Sequence, residues 1–210
     1  MPNKNGSVYG LTILSPIIED PSATPSHDLQ IRDYLANLST REESPFAQAP
    51  GTHLARLVVM DDVVFVGAPS REEHLKSKYL IFESNCDGDL DSYLSGLAAS
   101  IPEHLDAIWN HCAGYPGAGN RKAFLSYMKA CQVETTFFFA AVNNKSVTET
   151  LRALQTQTAV ADFIASHQGR DAATLQREFI EFAAHLKSQP IPPPGSMGPH
   201  RAIKTGGHNE

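Results

Sequence analysis

The segment THLARLVVM, residues 52–60, limits the possible folds because it predicts a strand that is apolar on both faces. Side chains alternate between the two faces of a strand, so Leu54 and Val58 share one face with Arg56. The other face combines His53 with three apolar residues, Ala55, Leu57 and Val59. Such a strand needs cover on both sides, by helices on one face and by a further layer on the other.

Hydrophobic periodicity predicts a definite order of elements around this strand. Strands are expected at 8–18, 52–60, 78–84 and 133–142, and helices at 27–39, at 90–112 with a break at Pro102, and at 120–131. The apolar piece 63–68 either extends the second strand or forms an edge strand. The order βαββαβ is typical of the ferredoxin-like α+β sandwich, an antiparallel sheet with helices on one face. Because the open face needs cover, we expect an isologous homodimer of the dimeric α+β barrel type.

The C-terminal part of the chain predicts two further helices and a tail. The helices fall in SVTETLRALQTQTAVADFIASHQG, with Thr148 as the expected cap, and in DAATLQREFIEFAAHLKS. Residues 188–210 are rich in Pro and Gly and predict disorder. We therefore expect one domain over residues 1–187 and a disordered tail over 188–210.

Composition excludes several classes of partner. Lys and Arg number 17 against 23 Asp and Glu, which gives a net charge of −6, and no basic run is present to neutralise nucleic acid phosphates. No stretch has the length and apolar character of a membrane span, and the N-terminus lacks a secretory signal. We expect a cytoplasmic protein without nucleic acid or membrane partners. Its three cysteines, Cys86, Cys112 and Cys131, are expected to be reduced and mostly buried.

His53 and Arg56 are the first candidate site residues. Strict alternation sends them to opposite faces of the strand. Arg56 either holds a carboxylate, a propionate or an oxidised oxygen in a cavity, or forms a salt bridge or a dimer-rim contact. His53 either ligates a metal or haem or acts as an acid or base, or is simply hydrogen-bonded within the core.

The acidic segment ESNCDGDLDSY, residues 83–93, contains a third candidate, Asp87. Its alternating aspartates do not make a calcium loop, because counting from Asp87 the glycine and glutamate positions are occupied by Ser92 and Ala98. Asp89 is expected to cap the following helix. His104 and His111 stand two helical turns apart, and a third zinc ligand is not evident in the sequence.

Several segments together resemble a known domain. LTILSPI, SPFAQAPGTH, GTHLARLVV and YLIFESNCDGDLDSYL are similar to a ferredoxin-like domain of larger bacterial proteins that resemble dye-decolourising peroxidases. Those peroxidases are haem enzymes with two ferredoxin-like domains and a Gly-x-x-Asp-Gly motif. The stretch from Ser84 to Gly88 matches this motif except that Ser84 replaces the first glycine. The resemblance spans roughly residues 10–145, and the chain has room for one such domain.

The resemblance implies roles for the candidate residues. If haem binds, Asp87 is the acid or base, Arg56 stabilises charge, and His167 or His53 ligates the iron. One function class is therefore a small haem-dependent, peroxidase-like oxidoreductase or a related α+β-barrel enzyme acting on a small molecule. The other is a non-catalytic ligand-binding or dimerisation domain that uses the open sheet face and the aromatic residues Phe137–Phe139.

Overall fold

The protein has one four-stranded antiparallel sheet and six α-helices in a computed structural model that describes residues 3–71 and 73–197. The strands are β1 (Lys4–Asn5), β2 (Val8–Pro16), β3 (Thr52–Met60) and β4 (Tyr79–Asp87), in the order β1-β2-β4-β3. The helices are α1 (His27–Ala36), α2 (Leu90–Ser100), α3 (Pro102–Trp109), α4 (Arg121–Ala130), α5 (Val147–Ser166) and α6 (Ala172–Ser188). The predicted α+β class is confirmed.

Burial alternates along β4 because one face of the sheet packs against helices. The buried residues of this strand are Leu80, Phe82, Ser84 and Cys86, and the residues between them are partly exposed. Phe82 pairs in register with Ile13 on one side and Leu57 on the other. It therefore lies at the centre of the helix-covered face.

The helices covering this face are held by an aromatic contact and by a proline break. Trp109 of α3 meets Phe82 edge to face with ring centroids 5.5 Å apart, and its indole N–H donates to the Ser15 Oγ at 3.2 Å. The predicted break at Pro102 is confirmed, because α2 ends at Ser100 and α3 begins at the proline. Proline is tolerated at the first helical position, where its missing N–H has no partner to lose.

The start of α5 differs from the expectation that Thr148 caps it. Ser146 is the N-cap, and its hydroxyl oxygen accepts a hydrogen bond from the Glu149 N–H at 3.2 Å. The Glu149 carboxylate in turn accepts from the Ser146 N–H at 2.9 Å. The prediction of Thr148 was wrong because this reciprocal pair forms a capping box two residues earlier.

The strand predicted at 133–142 is not formed. Its start approaches β2, where the Val133 N–H donates to the Thr12 carbonyl at 2.9 Å. Farther along, the edge of β2 is already paired, because β1 occupies the positions opposite Val8 and Tyr9. The segment instead contacts the N-terminal residues, and the Asn5 side-chain amide donates to the Phe138 carbonyl at 3.4 Å. β1 and the segment 133–142 therefore compete for the same edge of β2, and the segment is irregular.

The apolar piece 63–68, which the sequence left open, lies in the loop between β3 and β4 and outside both strands. The Asp62 carboxylate closes the base of this loop by accepting hydrogen bonds from the Val63 and Leu75 N–H groups, each at 2.8 Å. Val64 in the loop is 87% exposed. The loop thus presents apolar side chains away from the core.

Candidate functional site

A β-bulge at His53 decides where the candidate site lies. Thr52 pairs with Cys86 and Leu54 pairs with Asn85, so His53 is an additional residue in β3 with no partner of its own in β4. The predicted placement of His53 and Arg56 on opposite faces was wrong, because a bulge shifts the alternation by one residue. The His53 Nε2 lies 2.7 Å from the Asp87 Oδ1. Asp87 and Glu83, the partner of Arg56, point to the same face of β4.

Asp87 accepts hydrogen bonds at both carboxylate oxygens. Its Oδ1 contacts His53, and its Oδ2 accepts from the Val147 N–H, the first residue of α5, at 3.1 Å. A helix N-terminus carries unpaired N–H groups, and the Asp87 carboxylate satisfies one of them. An ionised carboxylate only accepts hydrogen bonds, so the His53 Nε2 must carry the proton toward it. The neutral imidazole then has its lone pair on Nδ1.

Gly51 allows the bulge to approach Asp87. Its φ is +76°, and an added Cβ would lie 3.0 Å from the Asp87 Cβ. The Asp87 N–H also donates to the Gly51 carbonyl at 2.9 Å. A side chain at this position would therefore be strained and would separate the strand end from the bulge.

His53 lines a groove of about 430 Å³ at the free edge of β3. The end of α1, the loop 38–47 and the C-terminal residues Pro194 and Gly195 form its other sides. Leu35 and Phe46 are apolar residues of its lining, and Ser39, Thr40 and Ser44 are polar ones. A cavity of this size, with a few polar groups on an apolar lining, is typical of small-molecule sites.

The two arginines of this groove differ in their charge partners. The Arg56 Nε donates to the Glu83 Oε2 at 2.7 Å across the β3–β4 pair, so its charge is matched. Of the roles predicted for Arg56, the salt bridge with a nearby acid is confirmed. Arg41 also lines the groove and has no ion pair in the part of the chain that the structure describes. Sequence reasoning missed Arg41 because it lies in a proline-punctuated loop without regular spacing.

His167 lies far from the other candidates. It is the C-cap of α5, whereas Asp87 contacts the first residue of the same 20-residue helix. A helix of that length separates its ends by about 30 Å. The His167 Nδ1 lies 2.8 Å from the Phe163 carbonyl oxygen, and its Nε2 lies 3.5 Å from Glu178. The residues present do not fit a haem held by His167 with Asp87 on its other side.

The remaining candidates of the acidic segment have structural roles. The Asp89 carboxylate accepts from the Ser92 N–H at 3.0 Å, which confirms it as the cap of α2. Asp91 pairs with Lys129 at 2.7 Å. Cys86 is buried, and burial together with Asp87 and Asp89 raises the pKa of its thiol to about 12. This thiol therefore stays protonated at neutral pH.

Two histidine contacts join the outer helix α1 to α3 and the residues that follow it. The Tyr34 Oη lies 2.6 Å from the His104 Nδ1, and the His27 Nδ1 lies 2.9 Å from the His111 Nδ1. Burial and the neighbouring His27 lower the pKa of His111. Only one of the two facing Nδ1 atoms can carry a proton in this contact, because protons on both would set two N–H groups against each other. Across residues 3–71 and 73–197, no three His, Cys, Asp or Glu side chains are grouped to hold a metal ion.

No family model, curated protein or solved structure matches this chain. Each helix within the described ranges is too short or too polar to span a bilayer.

We expect His167→Ala to leave the absorption spectrum of the haem-supplied protein unchanged. Both ring nitrogens of His167 face protein groups, and the residue is remote from Asp87. The measurement is a haem titration followed by absorbance between about 350 and 700 nm, where porphyrins absorb. His53→Ala is the comparison variant. A Soret band that is present in the parent protein and lost in His167→Ala would contradict this assignment.

The His27–His111 contact makes stability depend on pH. The pKa of His111 is lower in the folded than in the unfolded protein, so the unfolded state binds more protons as the pH falls. This contribution to the free energy of unfolding is complete above the ordinary histidine pKa and is lost as the pH falls through the folded value. We expect urea unfolding between about pH 7 and 5 to show a shallower pH dependence in His111→Gln. His185→Gln on α6 is the control, and an unaltered slope in His111→Gln would refute the assignment.

Proposed function

We propose that this chain is a ferredoxin-like domain that binds a small organic anion and transfers a proton to or from it through His53 and Asp87. The observation that carries the proposal is the 2.7 Å contact between the His53 Nε2 and the Asp87 Oδ1 beside the groove. A histidine oriented by a carboxylate at the edge of a cavity is a common arrangement for general acid–base chemistry. The peroxidase-like alternative depends on haem, and the haem titration tests it separately.

The strand order supports the ferredoxin-like part of the proposal. Three long strands lie in the order β2-β4-β3, with α1 connecting β2 to β3. This is the order of the first, third and second strands of a βαββαβ unit. The fourth position, beside β2, is shared by β1 and the start of segment 132–143, where Ile13 bridges to Gln132.

Each group in the site has a distinct task in this mechanism. The His53 Nδ1 accepts the proton from the ligand, while its Nε2–H remains hydrogen-bonded to Asp87. The Asp87 carboxylate stabilises the imidazolium that forms, and the Val147 N–H of α5 fixes the orientation of that carboxylate. Arg41 supplies a positive charge without a carboxylate partner in the described chain, so it is suited to hold the ligand's anionic group.

Benzoate, a small aromatic carboxylate, is a probe for this arrangement. In ¹⁵N NMR we expect the His53 Nδ1 resonance to shift on titration with benzoate, and Asp87→Asn to change the tautomer and abolish that response. Arg41→Gln is expected to weaken benzoate binding by roughly 10-fold or more, the usual effect of losing a charged hydrogen bond.

Arg56→Gln is the matched control for Arg41→Gln, because Arg56 lines the same groove but is already paired with Glu83. We expect this variant to bind benzoate like the parent protein. Equal loss of affinity in both arginine variants would indicate a nonspecific charge effect. No His53 response in the parent protein would remove the basis of the proposed proton transfer.

The second candidate function, dimerisation, is favoured by the face of the sheet opposite the helices. Leu54 is 48% exposed and Val58 is 43% exposed on this face. The face also carries the Arg56–Glu83 ion pair, which contributes no net charge, so two copies related by a two-fold axis can meet there despite the net charge of −6. We propose a second copy of this chain as the occupant of this face.

We expect the parent protein to sediment as a dimer, and Val58→Asp to shift it to the monomer. A buried carboxylate at the centre of the apolar patch has no partner, so it opposes association. Val64→Asp is the control, since Val64 is exposed in the β3–β4 loop and lies outside this face. Analytical ultracentrifugation distinguishes the variants, and a monomeric parent protein would end this second candidate.

A further inference from the structure

Residues 189–197 follow α6 and run along α5; we name them the C-terminal strap. The Arg152 Nη1 donates to the Gln189 carbonyl at 2.9 Å, and the Gln155 Nε2 donates to the Pro190 carbonyl at 2.9 Å. The strap then turns, and the Ser196 N–H donates to the Pro193 carbonyl at 3.2 Å. Two side chains of one helix therefore hold the first part of this proline-rich segment.

The strap ends at the groove that contains His53. Pro194 and Gly195 line this groove together with residues of β3 and of the loop 38–47. Gly195 has a φ of +82°, and a Cβ there would lie 2.8 Å from the Arg41 carbonyl carbon and 3.0 Å from the Glu42 nitrogen. Backbone packs on backbone at this point, and only glycine combines that φ with so close an approach.

The same helix holds both the strap and the carboxylate of the site. The Val147 N–H at the start of α5 donates to Asp87, and Arg152 and Gln155 lie about one and two turns farther along. If the strap moves relative to α5, it therefore moves along the helix whose first N–H donates to Asp87. The strap also packs on the backbone of Arg41, whose side chain has no carboxylate partner in the described chain.

Few interactions fix the strap in place. Pro190, Pro192, Pro193 and Pro194 have no backbone N–H, so this stretch donates little to the rest of the fold. Beyond Gln189, whose side chain also contacts His185 and Gln155, the strap is held by the Gln155 donor to Pro190, the Gly195 contact and partial burial of residues such as Ile191. Segments with few buried contacts open at a low free energy compared with global unfolding.

We propose that the C-terminal strap is a movable wall of the His53 groove and controls access to it. In the closed state Pro194 and Gly195 border the groove, and in the open state the His53 side chain, which is 23% exposed in this structure, becomes more accessible. The effect on ligand entry rests on the proposed function, whereas the exposure of His53 can be measured without any ligand.

Diethyl pyrocarbonate, which acylates neutral imidazole nitrogens, reports that exposure at each histidine by peptide mass spectrometry. The first variant combines Arg152→Ala with Gln155→Ala, which removes both donors to the strap carbonyls. The expected result is that His53 reacts faster by roughly fivefold to thirtyfold, the change in opening equilibrium for losing one or two hydrogen bonds. His104, in its contact with Tyr34, serves as the internal reference and keeps its rate.

Gly195→Val is the second variant, since its side chain would overlap the Arg41 backbone. Gly117→Val is its matched control, because Gly117 has a similar φ of +85° but no atom within 4 Å of an added Cβ. We expect only Gly195→Val to raise the His53 rate. Circular dichroism establishes whether each variant is folded. If one valine variant unfolds, the His53 rate of the Arg152→Ala/Gln155→Ala protein alone tests the movable wall.

An unchanged His53 rate in the folded strap variants would overturn the movable wall. That result leaves the benzoate response of His53 intact, so the proposed function would survive. Conversely, a faster reaction of His53 with diethyl pyrocarbonate, in a protein that shows no benzoate response, would support the movable wall and contradict the proposed ligand binding. The two proposals therefore fail in different measurements.

Discussion

The hydrogen bonds of the Asp87 carboxylate connect the parts of this molecule that matter for its candidate site. One oxygen faces His53 on the bulge of β3, and the other accepts the first N–H of α5. Asp87 itself ends β4, the central long strand that pairs with both β2 and β3. A single side chain thus joins the sheet to the C-terminal helices, and through α5 it is linked to the strap that lines the groove. Such a carboxylate is stable because both oxygens are satisfied.

The two faces of the sheet explain why the site lies at an edge. The helix-covered face is filled by large, fully buried apolar side chains such as Phe82 and Trp109. The opposite face mixes exposed Leu54 and Val58 with the Arg56–Glu83 pair. Between them, the free edge of β3 faces the loop after α1, and there apolar surface, hydroxyls and two arginines border one groove. Exposed apolar side chains therefore lie on the open face, whereas the candidate groove lies at the edge.

Much of the secondary structure followed from local pattern. The spacing of Leu94, Leu97 and Leu105 and the position of Pro102 were sufficient for α2 and α3, because burial of one helix face and the missing proline N–H act locally. The cap at Asp89 was predictable for the same reason. The irregular conformation of VETTFFFAAV was not predictable from its sequence. This segment has high β-propensity, but β1 already occupies part of the edge that it would use. Propensity describes a segment and cannot include a competing partner.

The amino-acid sequence by itself determined the α+β class, the apolar strands, most helix positions and the choice of His53, Arg56 and Asp87 as candidates. These depend on periodicity and residue chemistry, which are properties of neighbours in the chain. Only the tertiary structure decided that His53 lies on the same face as Arg56 and contacts Asp87. It also decided that Glu83 pairs with Arg56 and that His167 lies at the far end of α5. A one-residue bulge, a strand register and a helix direction are set by contacts between distant segments, and strict alternation does not contain them.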